Sequence, residues 1–367
     1  MKKVMRNSVD PFITQATEKF ALANQHIAKG EIRQAYDLFK EVKDIMDHTY
    51  SDTKAIQYQM VSCQAIKSLA ILEIRRGNCE QAIEMLEDAM KRLETLRKER
   101  DEQTAKGLVF YFGELYFHRS EAYTIWSART KDKEVREQYL KDAIADADKS
   151  IEYVTQTDGY GTKIGCLRML QGAHQQKGNA YAILKEHEKS ADSFKTSLDF
   201  CGTIISQQPE SRYTAVRAGN SLRVAVELAS CGGDKSEIIA YANKGLSEYS
   251  EMYNKNKTTE NTYNLGAGCY NMALVAEKLE DYVSVKNYCD KAISFQASVC
   301  EADKYRVPSV YRLLVYFDTI LRTIDKLPEM PADVAEKYRA DFEKVKEIYT
   351  KVTGGAEFKR LGESEQQ

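Results

Sequence analysis

The segment Leu69-Ala70-Ile71-Leu72-Glu73-Ile74-Arg75-Arg76-Gly77-Asn78-Cys79-Glu80-Gln81-Ala82-Ile83-Glu84-Met85-Leu86-Glu87-Asp88-Ala89 decides the fold. Leu69 and Ala70 belong to one helical pattern, and Ala82, Leu86 and Ala89 return on a single face of the next. Gly77 stands at the junction, where glycine reaches the left-handed conformation that closes a helix. Small Ala82 and Ala89 let two helices approach, and Leu86 fills the gap between them. The segment reads as a helical hairpin.

The same arrangement recurs outward in both directions. Phe20, Leu22, Ala23 and His26 run down one helix, Gly30 ends it, and Ile32, Ala35, Phe39 and Val42 stripe the next. Gly178, Tyr181, Ser190, Phe194 and Ser197 repeat the order, as do Ala273, Tyr282, Val285, Cys289 and Ala292. Turns are expected at Gly30, Gly77, Gln138, Lys185, Gly233 and Glu280, and one further step of the period reaches Leu327, beside Pro328 and Pro331. Successive turns are separated by 47, 61, 47, 48 and 47 residues, which predicts seven hairpins over nearly the whole chain. The long interval carries 14 extra residues, expected as an exposed loop at Ala128-Arg129-Thr130-Lys131-Asp132-Lys133-Glu134-Val135-Arg136. The aromatic run Phe110 to His118 precedes it and reads as core, since rings at helical spacing are packing units.

Three stretches, Gly178-Asn179-Ala180-Tyr181, Gly30 to Phe39 and Gly77 to Ala89, resemble the tetratricopeptide repeat family. Its motif sets a small residue, a tyrosine, a turn glycine, an alanine, an aromatic and a second alanine in this order. The resemblance covers about residues 12–352 and departs from the family in two ways. The period is near 47 residues instead of about 34, and the proline that commonly closes a repeat is mostly absent. The resemblance implies an all-α, right-handed superhelix (α-solenoid) of about seven hairpins, with helices of roughly 18 to 22 residues, about 30 Å long. Three parts are expected: an N-terminal extension over 1–11, the repeat domain over 12–352 with Ala332 to Val352 as its cap, and a disordered tail over 353–367.

Composition narrows the function classes. At 367 residues the chain exceeds the roughly 250 to 300 residues of a single core, so it must be multi-domain or a repeat stack. Charged residues make up 29% with a formal net charge of −2, and the basic cluster Leu96-Arg97-Lys98-Glu99-Arg100 is interleaved with acids, so no nucleic-acid partner is expected. Neither a signal-peptide core nor a membrane-length apolar run is found, and the most apolar stretch is broken by Glu114. Eight cysteines lack C-x-x-C and zinc spacings and fall on packed positions, as expected of reduced thiols in a cytoplasmic protein. The five histidines are scattered and no catalytic or phosphate-loop motif is present. We therefore expect no enzyme, no metal and no cofactor. The sequence sets no oligomeric state.

The tetratricopeptide resemblance implies that ligands lie along the first helices of the hairpins, and polar ladders occur there. Arg217, Asn220, Arg223 and Glu227 are spaced 3, 3 and 4 residues apart; Arg168, Gln171, Gln175 and Asn179 are spaced 3, 4 and 4; Asn264 and Asn271 lie seven apart with Tyr270 beside them. Amides offer a donor and an acceptor to an extended peptide backbone, and arginine forks onto carboxylates. The candidate peptide-binding set is Arg168, Gln175, Arg217, Asn220, Arg223, Asn264, Tyr270 and Asn271. An ordinary solvated helix face accounts for the same spacings. The family's chaperone carboxylate clamp is not matched: Asn24 fits, but Phe20 stands in the lysine place and Ser68 in the next asparagine place. The array is also similar to the peptide-sensing tetratricopeptide regulators of Gram-positive bacteria, with asparagines on the binding face. A protein- or peptide-binding scaffold is the leading reading, beside an architectural subunit or a peptide-responsive regulator.

Overall fold

Helix signals along the chain are realised as fourteen α-helices, and no strand, among the residues described by the computed structural model, 10–209, 212–327 and 330–359. They are α1 (Pro11–Ala28), α2 (Ile32–Thr53), α3 (Ile56–Arg76), α4 (Cys79–Glu99), α5 (Glu102–Ser127), α6 (Lys133–Thr155), α7 (Ile164–Ile183), α8 (His187–Gln207), α9 (Tyr213–Ser230), α10 (Lys235–Lys255), α11 (Thr259–Lys278), α12 (Tyr282–Ala302), α13 (Val307–Thr323) and α14 (Ala332–Val352). Expectations for residues 1–9, Ser211, Pro328 and 360–367 lie outside the described residues. The hairpin stack is the α-solenoid arrangement expected. Packing divides it into two compact units, one ending at Ala180 and the other beginning at Tyr181.

Short polar side chains set the starts of many helices. Asp10, Asp101, Asp132, Asp234, Thr258 and Asp281 each accept a backbone N–H in the first turn of the helix that follows. The ends inside the hairpins share one device. Gly30, Gly77, Lys185, Gly232 and Glu280 are left-handed, with φ of 78°, 84°, 61°, 75° and 58°. The N–H after each returns to the carbonyl five residues back: Glu31 to His26, Asn78 to Glu73, Glu186 to Tyr181, Gly233 to Leu228 and Asp281 to Ala276, all at 2.8–2.9 Å. For Lys185 and Glu280 the left-handed backbone costs about 1 kcal/mol, offset by this closing bond. The fifth turn is thus centred on Gly232, one residue before the expected Gly233.

Gln138 is not a turn. It lies inside α6, and the third hairpin turns over Ala128–Asp132. The 14 extra residues do not form a nine-residue loop; α5, at 26 residues, and α6, at 23, absorb part of them, and the connections 128–132 and 156–163 take the rest. The short connection is pinned by Arg129, whose Nη1 donates to the Gly77 carbonyl at 2.8 Å.

In the first unit ion pairs and hydrogen bonds tie neighbouring helices together, and one of them spans the repeat length. Lys67 of α3 pairs with Glu114 of α5, 47 residues on, at 2.7 Å. Asp47 of α2 receives Arg92 of α4 at 2.7 Å and Ser62 of α3 at 2.5 Å. Arg119 of α5 forks onto Asp146 of α6 through Nε (2.7 Å) and Nη2 (2.8 Å), while its Nη1 reaches Glu87 of α4 at 2.9 Å. The aromatic run packs as expected: Tyr153 stacks on Phe112 and Tyr116 at 5.2 and 5.6 Å. A Cβ on Gly172 of α7 would come within 2.7 Å of the Phe117 ring, so the absent side chain makes room for the phenyl group.

The second unit has one large core, built by α8 to α13 around Phe194, Leu222, Val224, Ala225, Tyr249 and Tyr316. Tyr338 of α14 donates to Asp290 of α12, 48 residues earlier, at 2.5 Å. Packing continues past residue 353: Phe358 meets Tyr311, Phe342 and Tyr349 with ring centroids 5.5–6.3 Å apart. The expected free tail therefore gives way there to a docked aromatic anchor.

Candidate functional site

The first helices of the second unit, α9, α11 and α13, lie side by side and form a wall. On α11 the stripe Tyr263, Asn264, Ala267, Tyr270, Asn271 and Leu274 follows helical spacing and is half-buried throughout. Thr258 caps the start of this helix through a bond from the Asn261 N–H at 3.1 Å, and this fixes the rotation of the stripe. Across the seam to α13, Tyr270 stacks on Tyr316 at 4.4 Å, and its hydroxyl meets Thr319 Oγ1 at 3.1 Å. One turn earlier on α13, Arg312 lies over the Tyr263 ring at 4.5 Å. Burial pushes the Tyr316 phenol well above its ordinary pKa, so it stays neutral.

Asn264 and Asn271 are two turns apart on this stripe. Among the described residues neither side-chain amide makes a hydrogen bond. Each follows a tyrosine held across the seam, Asn264 after Tyr263 and Asn271 after Tyr270. A half-buried amide of this kind presents donor and acceptor together at a defined spacing.

The α9 stripe is rotated from its expected orientation. Residues with open surface are Val216, Gly219, Arg223, Val226 and Ser230, whereas Asn220 is 2% exposed and donates to Ser197 Oγ of α8 at 2.9 Å. Asn220 is therefore a packing amide, a correction to its expected place on a binding face. Glu227 is also buried, at 8%, and pairs with His187 Nδ1 at 2.7 Å. Arg217 points toward α10, where Nε and Nη2 fork onto Glu248 at 3.2 and 3.0 Å.

Arg223 is the member of the α9 ladder on the open stripe. Its guanidinium carbon lies 5.4 Å from the centre of the buried Phe194 ring. The side chain keeps solvent-exposed surface while its guanidinium packs against the protein. Desolvation there pulls its pKa below the usual arginine value, against the pull of Tyr249, Glu227 and Tyr263. The cation remains charged and less hydrated than on an open surface.

Arg168 and Gln175 lie in the first unit, on α7. Arg168 is exposed, and Gln175 accepts from the buried Gln171 amide at 2.8 Å. Of the eight candidates, Asn264, Tyr270 and Asn271 share the α11 stripe, Arg223 shares the open face of α9, and Arg217 and Asn220 face other helices. Tyr263, Arg312 and Thr319 escaped the sequence reading. A signal existed for all three: Tyr263 is seven residues before Tyr270, and Arg312 and Thr319 follow these tyrosines by 49, close to the repeat length. Among the described residues no group of three or more metal-ligating side chains and no helix long and apolar enough to cross a membrane is present.

No family model and no curated protein matches the chain. Solved structures do. A thermophilic tetratricopeptide protein of Thermus thermophilus is 16% identical over 69% of this chain and 98% of that one, with a TM-score of 0.43. The S. pombe nuclear import adaptor Nro1 is 12% identical over 84% and 98%, with a TM-score of 0.47. The apo form of RapI is 13% identical over 92% and 84%, with a TM-score of 0.48.

Proposed function

We propose that this chain is a non-enzymatic protein- or peptide-binding scaffold whose recognition surface is the α11 stripe and its flanks in the second unit. The observation that carries the reading is the pair Asn264 and Asn271, rigidly spaced on one helix face and without a hydrogen-bond partner among the described residues. Seven residues of helix put the two amides about 10.5 Å apart, the reach of about three residues of extended chain. One peptide backbone spans both. Arg223 on the adjoining helix supplies positive charge for an acidic group, and Tyr263, Ala267, Tyr270 and Leu274 supply apolar contact. Eight free thiols, seven of them buried, support a reducing compartment, the cytoplasm.

The test is selection from a displayed random-peptide library, with the chosen peptide titrated against the wild-type protein and an Asn264→Ala/Asn271→Ala variant. The expected loss is at least about tenfold in affinity, since each amide contributes on the order of 1 kcal/mol. A folded double variant that binds the peptide as the wild type does would refute the assignment.

A further inference from the structure

The second unit carries another opening, lined by Arg217 instead of Arg223. A cleft of about 750 Å³ lies between α8 and α10 with Arg217 of α9 in its lining. Its α8 wall is the helical stripe Leu198, Asp199, Gly202, Thr203 and Ser206; Lys195, Lys244 and Tyr241 complete it.

Comparison with the seams of the first unit shows what is missing. Arg119 gives Nε and Nη2 to Asp146 on the following second helix, and Nη1 to Glu87 on the preceding one. Arg92 likewise holds two carboxylates, Asp88 through Nε at 2.9 Å and Asp47 of α2 through Nη1 at 2.7 Å. Arg217 repeats the first half of the Arg119 pattern, with Nε and Nη2 on Glu248 of the following second helix. Among the described residues its Nη1 has no carboxylate. Asp199, on the same wall, forms no ion pair with it. When α2 and α8 are aligned on Phe39 and Phe194, the place of Asp47 is taken by Gly202. A Cβ added at Gly202 would meet nothing within 4 Å, so the carboxylate that closes the seam in the first unit is replaced by open space in the second.

We propose that this cleft binds a carboxylate of an acidic peptide, which supplies to Arg217 the second anion that Glu87 supplies to Arg119. Lys195 is held by Glu237 at 2.8 Å, whereas Lys244 is exposed and without an ion pair among the described residues. The incoming carboxylate therefore meets Arg217 and Lys244. The cleft's volume and the length of its α8 wall, about 12 Å from Leu198 to Ser206, fit several residues of peptide. This site is independent of the α11 stripe.

Calorimetric titration at low salt tests it with three probes: a capped tetraglutamate peptide, the matching tetraglutamine, and inorganic phosphate. Wild-type protein is expected to bind tetraglutamate at least about tenfold more tightly than either other probe. Gly202→Asp, which installs the carboxylate of the first-unit seam, is expected to lower tetraglutamate affinity at least about tenfold. Exposed Lys244→Gln should lower it without changing the unfolding midpoint, and so serves if the glycine variant does not fold. Asn264→Ala/Asn271→Ala should leave tetraglutamate binding intact. The proposal is overturned if tetraglutamate does not bind at millimolar concentration, if tetraglutamine or phosphate binds as well, if both cleft variants bind like the wild type, or if the α11 variant abolishes the signal.

Discussion

The two units are built from the same hairpin and place its polar residues differently. In the first, charges close the seams between helices: Asp47 with Arg92, Lys67 with Glu114, and Arg119 with Asp146 and Glu87. In the second, amides and arginines remain on open stripes, as Asn264, Asn271 and Arg223 do, or are only half paired, as Arg217 is. The difference teaches that the repeat fixes where a polar side chain sits along the helix, and a neighbouring residue decides whether it holds the stack together or meets a partner. Asp47 and Gly202 are the sharpest instance: the shared position carries a carboxylate bonded to Ser62 and Arg92 in one unit and open space in the other.

The comparison predicts unequal costs for removing polar groups. Asp146→Ala should cost about 3 kcal/mol, because it leaves the Arg119 guanidinium, 18% exposed, without its main partner. Urea unfolding measures this, and a cost under about 1 kcal/mol would break the claim that the first unit is held by its seams. Asn220→Ala, the buried amide of the second unit, should cost about 2 kcal/mol because the core loses the Asn220–Ser197 hydrogen bond and gains a small void. The same variant should bind a selected peptide normally.

Acid titration sharpens the contrast. Burial alone would raise the Asp47 carboxyl, but the hydrogen bonds from Ser62 and Lys43 and the charge of Arg92 outweigh it and hold its pKa below the usual value. A carboxyl with a depressed native pKa contributes stability that is full above about pH 4 and is lost as pH falls through the native value. Asp47→Asn should flatten the fall in stability below pH 4, as measured by urea midpoints across pH. The smallest effect is expected for Asn264→Ala and Asn271→Ala, each within about 0.5 kcal/mol of the wild type, because neither amide supports the fold.

Much of the fold was legible because the turns leave a chemical mark. Gly30 and Gly77 announce left-handed closure, and the period carries the reading to Lys185 and Glu280, which are not turn residues by type. The third hairpin was misplaced because counting assumed helices of equal length, whereas α5 and α6 are extended; Asp132, an N-cap that accepts the Val135 N–H at 3.0 Å, was the overlooked marker of the true start. The candidate site was legible in spacing and not in rotation. Arg217, Asn220 and Arg223 occupy neighbouring sectors of α9, and only packing against α8 and α10 reveals that the first two face other helices. The tyrosines and Arg312 were hidden because their meeting depends on registering one hairpin against the next, 49 residues away.

The most direct measurement is a titration of the side-chain amide resonances of the ¹⁵N-labelled protein with a library-selected peptide, assigned by single asparagine substitutions. The account predicts that the Asn264 and Asn271 NH₂ signals shift together and saturate at the same peptide concentration, while the Asn220 signal stays fixed in its bond to Ser197. Saturable binding that moves Asn220, or leaves Asn264 and Asn271 unmoved, would contradict it.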